Sequence, residues 1–351
     1  MPASAFTKEL DKLKSKLQGV SLPPDLGEKV DDMLERLERF SQGNDYSQEH
    51  DRVAHYVDWV VNLPWNTKSD DILDLAKAKQ VLDKNHYGMA DIKERLLEYL
   101  AVLKLKRNQG DMQSITRAPI ISLVGLVGTG KTTFAYSLAE ALGRKLARIP
   151  FGGMGSARDL RGQSRLHLEA EPGAVIKAIR RVGVRNPVIL LDEIDRVAES
   201  ARADIMGVLV ELLDPEQNSA FVDHYIDYPF NLSEVLFIAT ANNTTNIATA
   251  VMDRLELLSM PSYTDQEKIM IAKSYLLPRA LVDAGLTNDN LTIDETLWPQ
   301  IVRPLGFDAG IRTLQRTIRG ITMKLAKDIV EGKVQHLNLT AENIKQYLPQ
   351  Y

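Results

Sequence analysis

The stretch Gly125-Leu126-Val127-Gly128-Thr129-Gly130-Lys131-Thr132 limits this chain more than any other. Its spacing is G-x4-G-K-T. The apolar run Ile120 to Val124 precedes it and helical text follows from Thr132. A strand, a glycine-rich loop and a helix in that order form a phosphate cradle. The glycines let successive N–H groups curl around an anion, and the helix N-terminus adds a positive dipole end. The spacing therefore predicts that Gly125, Val127, Gly128, Thr129, Gly130, Lys131, Thr132 and Thr133 line a site for ATP or ADP. Lys131 would reach the β- and γ-phosphates, and the Thr132 hydroxyl would face Mg2+.

The text after the loop supports an α/β core. Strand-like runs at Leu146 to Pro150, Val188 to Leu191, Val235 to Thr240 and Leu255 to Met260 alternate with helical segments. Examples are Ala174 to Val182 and Arg202 to Leu213. Such alternation implies a parallel sheet covered on both faces. The run Val188-Ile189-Leu190-Leu191 delivers Asp192 and Glu193 at its C-terminal end, where ligands of open α/β sheets bind. Asp192 is expected to hold Mg2+, and Glu193 to polarise an attacking water. Three further polar residues suit an ATPase that works between subunits. Asn242 ends a strand, Arg254 precedes the last strand, and Arg312 opens a long C-terminal helix. A planar, permanently charged guanidinium suits the last two roles better than an ammonium.

Composition narrows the remaining classes. The 351 residues carry 43 Lys and Arg against 47 Asp and Glu, a net charge of -4, which argues against a dedicated nucleic-acid coat. There is no Cys, so disulfides, thiolate zinc sites and cysteine nucleophiles are excluded, and a reducing, cytoplasmic setting is expected. The six His show no metal-ligand spacing. No apolar run approaches the roughly 18 residues of a membrane span. Before the core, Leu10, Leu13 and Leu17 and then Leu26, Val30, Met33, Leu34 and Leu37 recur at helical spacing. After Pro261, Thr264 to Glu267 reads as a capping box. Leu291 to Leu305 and Ala309 to Glu331 read as helices, Val334 to Leu339 as a short strand, and Thr340 as the cap of a last helix to Tyr347. The expected organisation is a helical region (1–106), a large α/β ATPase domain (107–262) and a small, mainly helical domain (263–351).

In order along the chain, the loop, Leu191-Asp192-Glu193-Ile194-Asp195, Ala241-Asn242, Asp253-Arg254 and Gly310-Ile311-Arg312 resemble an AAA+ ATPase. Several stretches resemble the Lon protease family more closely. They are Tyr56-Val57-Asp58-Trp59, Leu63-Pro64-Trp65, Asn85-His86-Tyr87-Gly88, Leu213-Asp214-Pro215-Glu216-Gln217-Asn218 and Asp223-His224-Tyr225. The resemblance implies a hexameric ring that hydrolyses ATP and draws unfolded or damaged proteins through a pore. It implies an AAA+ core with a helical lid, Arg254 as an arginine finger in trans, Arg312 and Asn242 as sensors, and His86, Tyr87 and Gly88 near the adenine.

Two departures from the family pattern qualify it. No Ser–Lys protease segment matches, so the expectation is a motor without its own peptidase. At the family's first pore loop, His167 stands where an aromatic is usual, followed by Leu168. The alternative is a nucleotide-dependent DNA- or protein-binding scaffold with little ATP turnover. DNA contact along the basic helix of Arg312, Arg316, Arg319, Lys324 and Lys327 would be a secondary activity.

Overall fold

The computed structural model describes residues 3–39, 46–109, 120–167, 169–303 and 308–349. In chain order the helices α1 (Ala3–Gln18), α2 (Pro24–Arg39), α3 (Tyr46–Val61), α4 (Leu75–Asn85) and α5 (Ala90–Asn108) come first. The α/β part follows: β1 (Ile120–Val124), α6 (Lys131–Leu142), β2 (Leu146–Pro150), α7 (Arg158–Arg161), α8 (Ala174–Val182), β3 (Val188–Asp192) and α9 (Arg202–Leu212). It continues through β4 (Phe221–Val222), β5 (Pro229–Phe230), β6 (Leu236–Ala241), α10 (Thr249–Met252) and β7 (Leu255–Ser259). The last part holds α11 (Asp265–Ile271), α12 (Leu277–Asp283), β8 (Leu291–Ile293), α13 (Trp298–Val302), α14 (Arg312–Val330), β9 (Leu337–Leu339) and α15 (Ile344–Tyr347).

Five strands form one parallel sheet in the order β2-β3-β6-β1-β7. Val188 pairs with Leu146 on one side and Leu236 on the other. Every residue of β3 is buried, as expected of a central strand covered on both faces. Helix α8 turns Val175, Ile176, Ala178, Ile179 and Val182 inward at helical spacing. The expected α/β class with a parallel sheet is observed.

By their contacts, the described residues within 1–74, 100–122 and 139–257 form one compact unit, and those within 75–99, 123–138 and 258–351 a second. In the first unit, α2 buries Leu26, Val30, Leu34 and Leu37, and the Tyr56 hydroxyl of α3 donates to the Ile226 carbonyl (3.0 Å). In the second, Trp298, Ile301, Leu314, Ile318, Ile321 and Leu325 belong to a compact core under α14.

Two expectations need correction. Residues 291–303 do not form one helix. Leu291–Ile293 is a strand, paired in parallel with Leu337–Leu339, and only Trp298–Val302 is α-helical. The local text carries apolar residues at both spacings, and a partner 46 positions away decides between them. Thr340 does not cap the final helix, which begins at Ile344 and is preceded by Asn343. Instead the Asn343 side chain accepts from the Thr340 N–H (2.9 Å). The small antiparallel pair β4–β5 was not anticipated. The Thr264 box is present as expected, with Glu267 N–H on the Thr264 hydroxyl (3.3 Å) and Thr264 N–H on the Glu267 carboxylate (2.8 Å).

Candidate nucleotide site

The phosphate loop and the residues around it lie in the second unit. Gly128 (φ +85°) and Gly130 (φ +98°) take backbone conformations that L side chains avoid, and the curl depends on them. The Lys131 ammonium donates to the Gly125 (2.7 Å) and Leu126 (3.0 Å) carbonyls, and the Thr129 hydroxyl to Leu126 O (2.9 Å). Lys131 also starts α6, whose first-turn N–H groups point out of the helix end. Glycine conformation, amide donors and one ammonium form a donor set that fits a polyphosphate.

A strap from residues 308 to 312 runs against this loop. A Cβ on Gly310 would stand 2.5 Å from Val127 O and 2.7 Å from Gly128 C, so only glycine fits. The Ile311 N–H donates to Gly128 O (3.1 Å). The Arg312 side-chain stem packs beside Gly128. From the other end, Tyr263 N–H donates to Ala309 O (3.3 Å) and its hydroxyl to Thr129 O (3.2 Å). Burial pushes the Tyr263 hydroxyl up to about 12, so it keeps the proton it donates. The buried Lys268 ammonium bonds the Asp308 carbonyl. Arg312 and the phosphate loop, singled out separately in the sequence, are thus neighbours.

His86 is buried and stacked on Phe134 of α6, with ring centroids 3.7 Å apart. Its Nε2 lies 2.9 Å from the Ser137 hydroxyl. Burial, and after it the charge of Lys93, pushes this imidazole down to about 4, so it is neutral near pH 7. Tyr87 is half-buried. Gly88 (φ +64°) and Met89 (φ +52°) turn the chain beside it. His86 therefore packs on the back of α6 through Phe134, a contact with no sequence signal beyond the local Asn-His-Tyr-Gly text.

The carboxylate end of β3 lies in the first unit. Asp192 is buried, and the Arg148 Nε donates to its Oδ2 (2.6 Å). The Thr240 hydroxyl donates to Asp192 Oδ1 (2.5 Å) and accepts from the Glu193 N–H (2.9 Å). One hydroxyl on β6 thus fixes both acidic residues. Glu193 is held at φ +59°, an uncommon conformation for a residue with a side chain, and its carboxylate lies 3.6 Å from the Arg196 guanidinium. Asn242 follows β6 directly and is half-buried. The next residue, Asn243, approaches Asp195 (N–H at 3.4 Å). Sequence reading missed Arg148 and Thr240. Their signal is weak, because each is a single polar residue inside an apolar strand.

The Arg254 guanidinium pairs with Asp214 (2.9 Å) and donates to Ala250 O (2.7 Å). That hydrogen bond is the main cause holding the Asp214 carboxyl below its usual range. His167 is exposed, and Leu168 lies outside the described residues. On α14, the Lys324 ammonium donates to the Gln346 (2.8 Å) and Leu348 (2.6 Å) carbonyls and so is engaged within the fold. Among the described residues, no cluster of three or more His, Asp or Glu could hold a metal, and no helix is long and apolar enough to cross a membrane.

Residues 121–260 match the profile of the ATPase family associated with various cellular activities, AAA. Residues 282–337 match the Lon protease AAA+ ATPase lid domain. The chain carries the AAA+ ATPase module of the Lon family. It is 41% identical over 346 residues to Lon protease 2 of Thermus thermophilus, covering 97% of this chain and 43% of that protein. It is 40% identical to the Lon protease of Halothermothrix orenii (97% of this chain, 42% of that protein) and 41% identical to that of Lawsonia intracellularis (97% and 40%). The chain therefore spans about two fifths of the length of these relatives. As an AAA+ module it is an ATPase and binds nucleotide.

Proposed function

We propose that this Lon-type module is a ring-forming motor that uses ATP hydrolysis to pull unfolded or damaged protein chains. The proposed assembly is a head-to-tail homohexamer in the cytoplasm. The observation that carries the motor reading is the strap at Gly310. It sets the stem of Arg312 against Gly128, so a change at the phosphate loop is felt directly by the lid helix α14. Peptide cleavage enters only as an activity of a longer protein to which such a module is joined.

The roles follow from the chemistry of each side chain. Backbone N–H groups of Gly128 to Thr132 and the Lys131 ammonium would hold the β- and γ-phosphates. The Thr132 hydroxyl and the Asp192 carboxylate would hold Mg2+, which when bound supplies charge neutralisation at the phosphates. Glu193 would orient the attacking water and accept its proton. Asn242 would orient that water, and Arg312 would contact the phosphates. Arg254 would act on a neighbouring subunit's nucleotide, since a finger in trans needs a closed ring. His86, Tyr87 and Gly88 would border the base. His167 and Leu168 would sit on a loop facing the translocated chain.

Glu193→Gln tests the hydrolysis role. It should keep ATP affinity within about threefold and lower turnover by at least about a hundredfold. Normal turnover in that variant overturns the assignment. Mass measurement of the wild-type chain with and without ATP should give a sixfold species with nucleotide. A wild type that assembles but turns over negligibly at every concentration supports the scaffold reading instead.

A further inference from the structure

Residues Gln163 to His167 leave the core after Gly162, and residues Glu169 to Pro172 lead back to Gly173. Its stems cross in very little space. A Cβ on Gly162 (φ +75°) would lie 2.8 Å from the Gly173 nitrogen, and a Cβ on Gly173 would lie 2.0 Å from Leu160 O. Asp223 is fully buried at this crossing. Its Oδ2 accepts from Gly173 N–H (2.7 Å), while Oδ1 accepts from Tyr225 N–H (2.8 Å) and Ile226 N–H (3.1 Å). The next residue ties the other stem, His224 N–H donating to Arg161 O (2.7 Å). Gln163 N–H to Glu171 O (3.1 Å) closes the neck. Beyond the neck, the Arg165 guanidinium lies 4.0 Å over the Tyr56 ring, and Leu166 projects into solvent at 87% exposure.

We propose that Asp223 is the positioning residue of this loop, a buried carboxylate whose bond to the Gly173 N–H clamps both stems so that Leu166 and His167 are presented at a fixed height. The proposal rests on the reading of this segment as the loop that meets the protein substrate. The residue type follows from the donors around it. Three backbone N–H groups converge on one side chain, and only a carboxylate accepts on both oxygens with no N–H of its own. Charge-assisted bonds from backbone amides are also the stronger kind, which suits a neck that must bear a pulling load. An asparagine would satisfy Tyr225 and Ile226 but turn an NH2 toward the Gly173 N–H.

Asp223→Asn is therefore the diagnostic change. In the full 351-residue chain, trypsin cleavage after Arg165 should accelerate by at least about tenfold, the expected scale for loss of one charge-assisted bond. Cleavage after Arg202 should stay as in the wild type. Basal ATP turnover should remain within about twofold, because the clamp touches none of the nucleotide residues, whereas stimulation of turnover by a carboxymethylated, permanently unfolded protein should be lost. Unchanged cleavage after Arg165, or equal acceleration at Arg165 and Arg202, overturns the clamp. If the wild type itself is not stimulated by the unfolded protein, the substrate role of the loop fails, and the cleavage pattern still decides the clamp. Should the variant not fold, amide exchange in the wild type serves. The Gly173 amide should exchange at least about a hundredfold more slowly than those of Leu166 and His167, and equal rates overturn the proposal.

Discussion

At the scale of single residues, the two acidic side chains at the end of β3 depend on a hydroxyl. Thr240 accepts from the Glu193 amide and donates to Asp192, so it sets the backbone turn and the carboxylate rotamer together. Thr240→Val keeps the shape and removes both bonds. Turnover should fall about 10- to 100-fold, the usual effect of losing such a supporting contact, with ATP affinity little changed. Steady-state kinetics beside nucleotide titration separates the two. His86 gives a pH prediction. Burial depresses its imidazole to about 4, below the ordinary value near 6.5. Between those values the unfolded chain binds the extra proton, so stability rises with pH. The contribution is complete above about pH 6.5 and is lost as pH falls toward about 4. Denaturant unfolding at pH 7 and pH 5 should show the wild type losing about 2 kcal/mol more than His86→Gln.

At the scale of elements, the phosphate loop was legible because its determinants are local. The glycine spacing, the preceding apolar strand and the following helix all lie within a few residues of one another. The Thr264 box was legible for the same reason. Of the β8–β9 pair only the second strand was, in the tail 334–339; the first was not, because Leu291 and Leu337 find each other only in the folded lid. Neither was the neck under Asp223, whose partners are backbone amides that no side-chain pattern announces. The strap at Gly310 is an intermediate case. The Gly-Ile-Arg text suggested an arginine near the nucleotide, but not that its glycine lies within van der Waals distance of the loop backbone. Gly310→Ala would place a methyl 2.5 Å from Val127 O, a separation that folded proteins do not tolerate. The loop or the strap must move. ATP affinity should drop by at least about tenfold while the lid core remains folded. Nucleotide titration with far-UV circular dichroism checks both halves of that expectation.

At the scale of the whole molecule, the proposed ring depends on Arg254. Within one chain its guanidinium is held by Asp214 and by the Ala250 carbonyl, and it is only partly exposed. An arginine meant for a neighbour's phosphates must be aimed before the neighbour arrives, and a bond to Asp214 that leaves the remaining N–H groups available aims it at low entropic cost. On the proposed finger role, assembly and turnover are one property. Turnover per chain should rise steeply with protein concentration as rings form. Arg254→Ala should abolish the rise, leaving monomer-level turnover at every concentration, while mass measurement still finds assembled rings with ATP. Asp214→Asn should act differently. The arginine remains but loses its charged anchor, so turnover in the assembled state should fall about 3- to 30-fold rather than vanish. If Arg254→Ala retains the steep concentration dependence, the finger is some other residue, and the Asp214 pair is a contact that serves the fold of one chain alone.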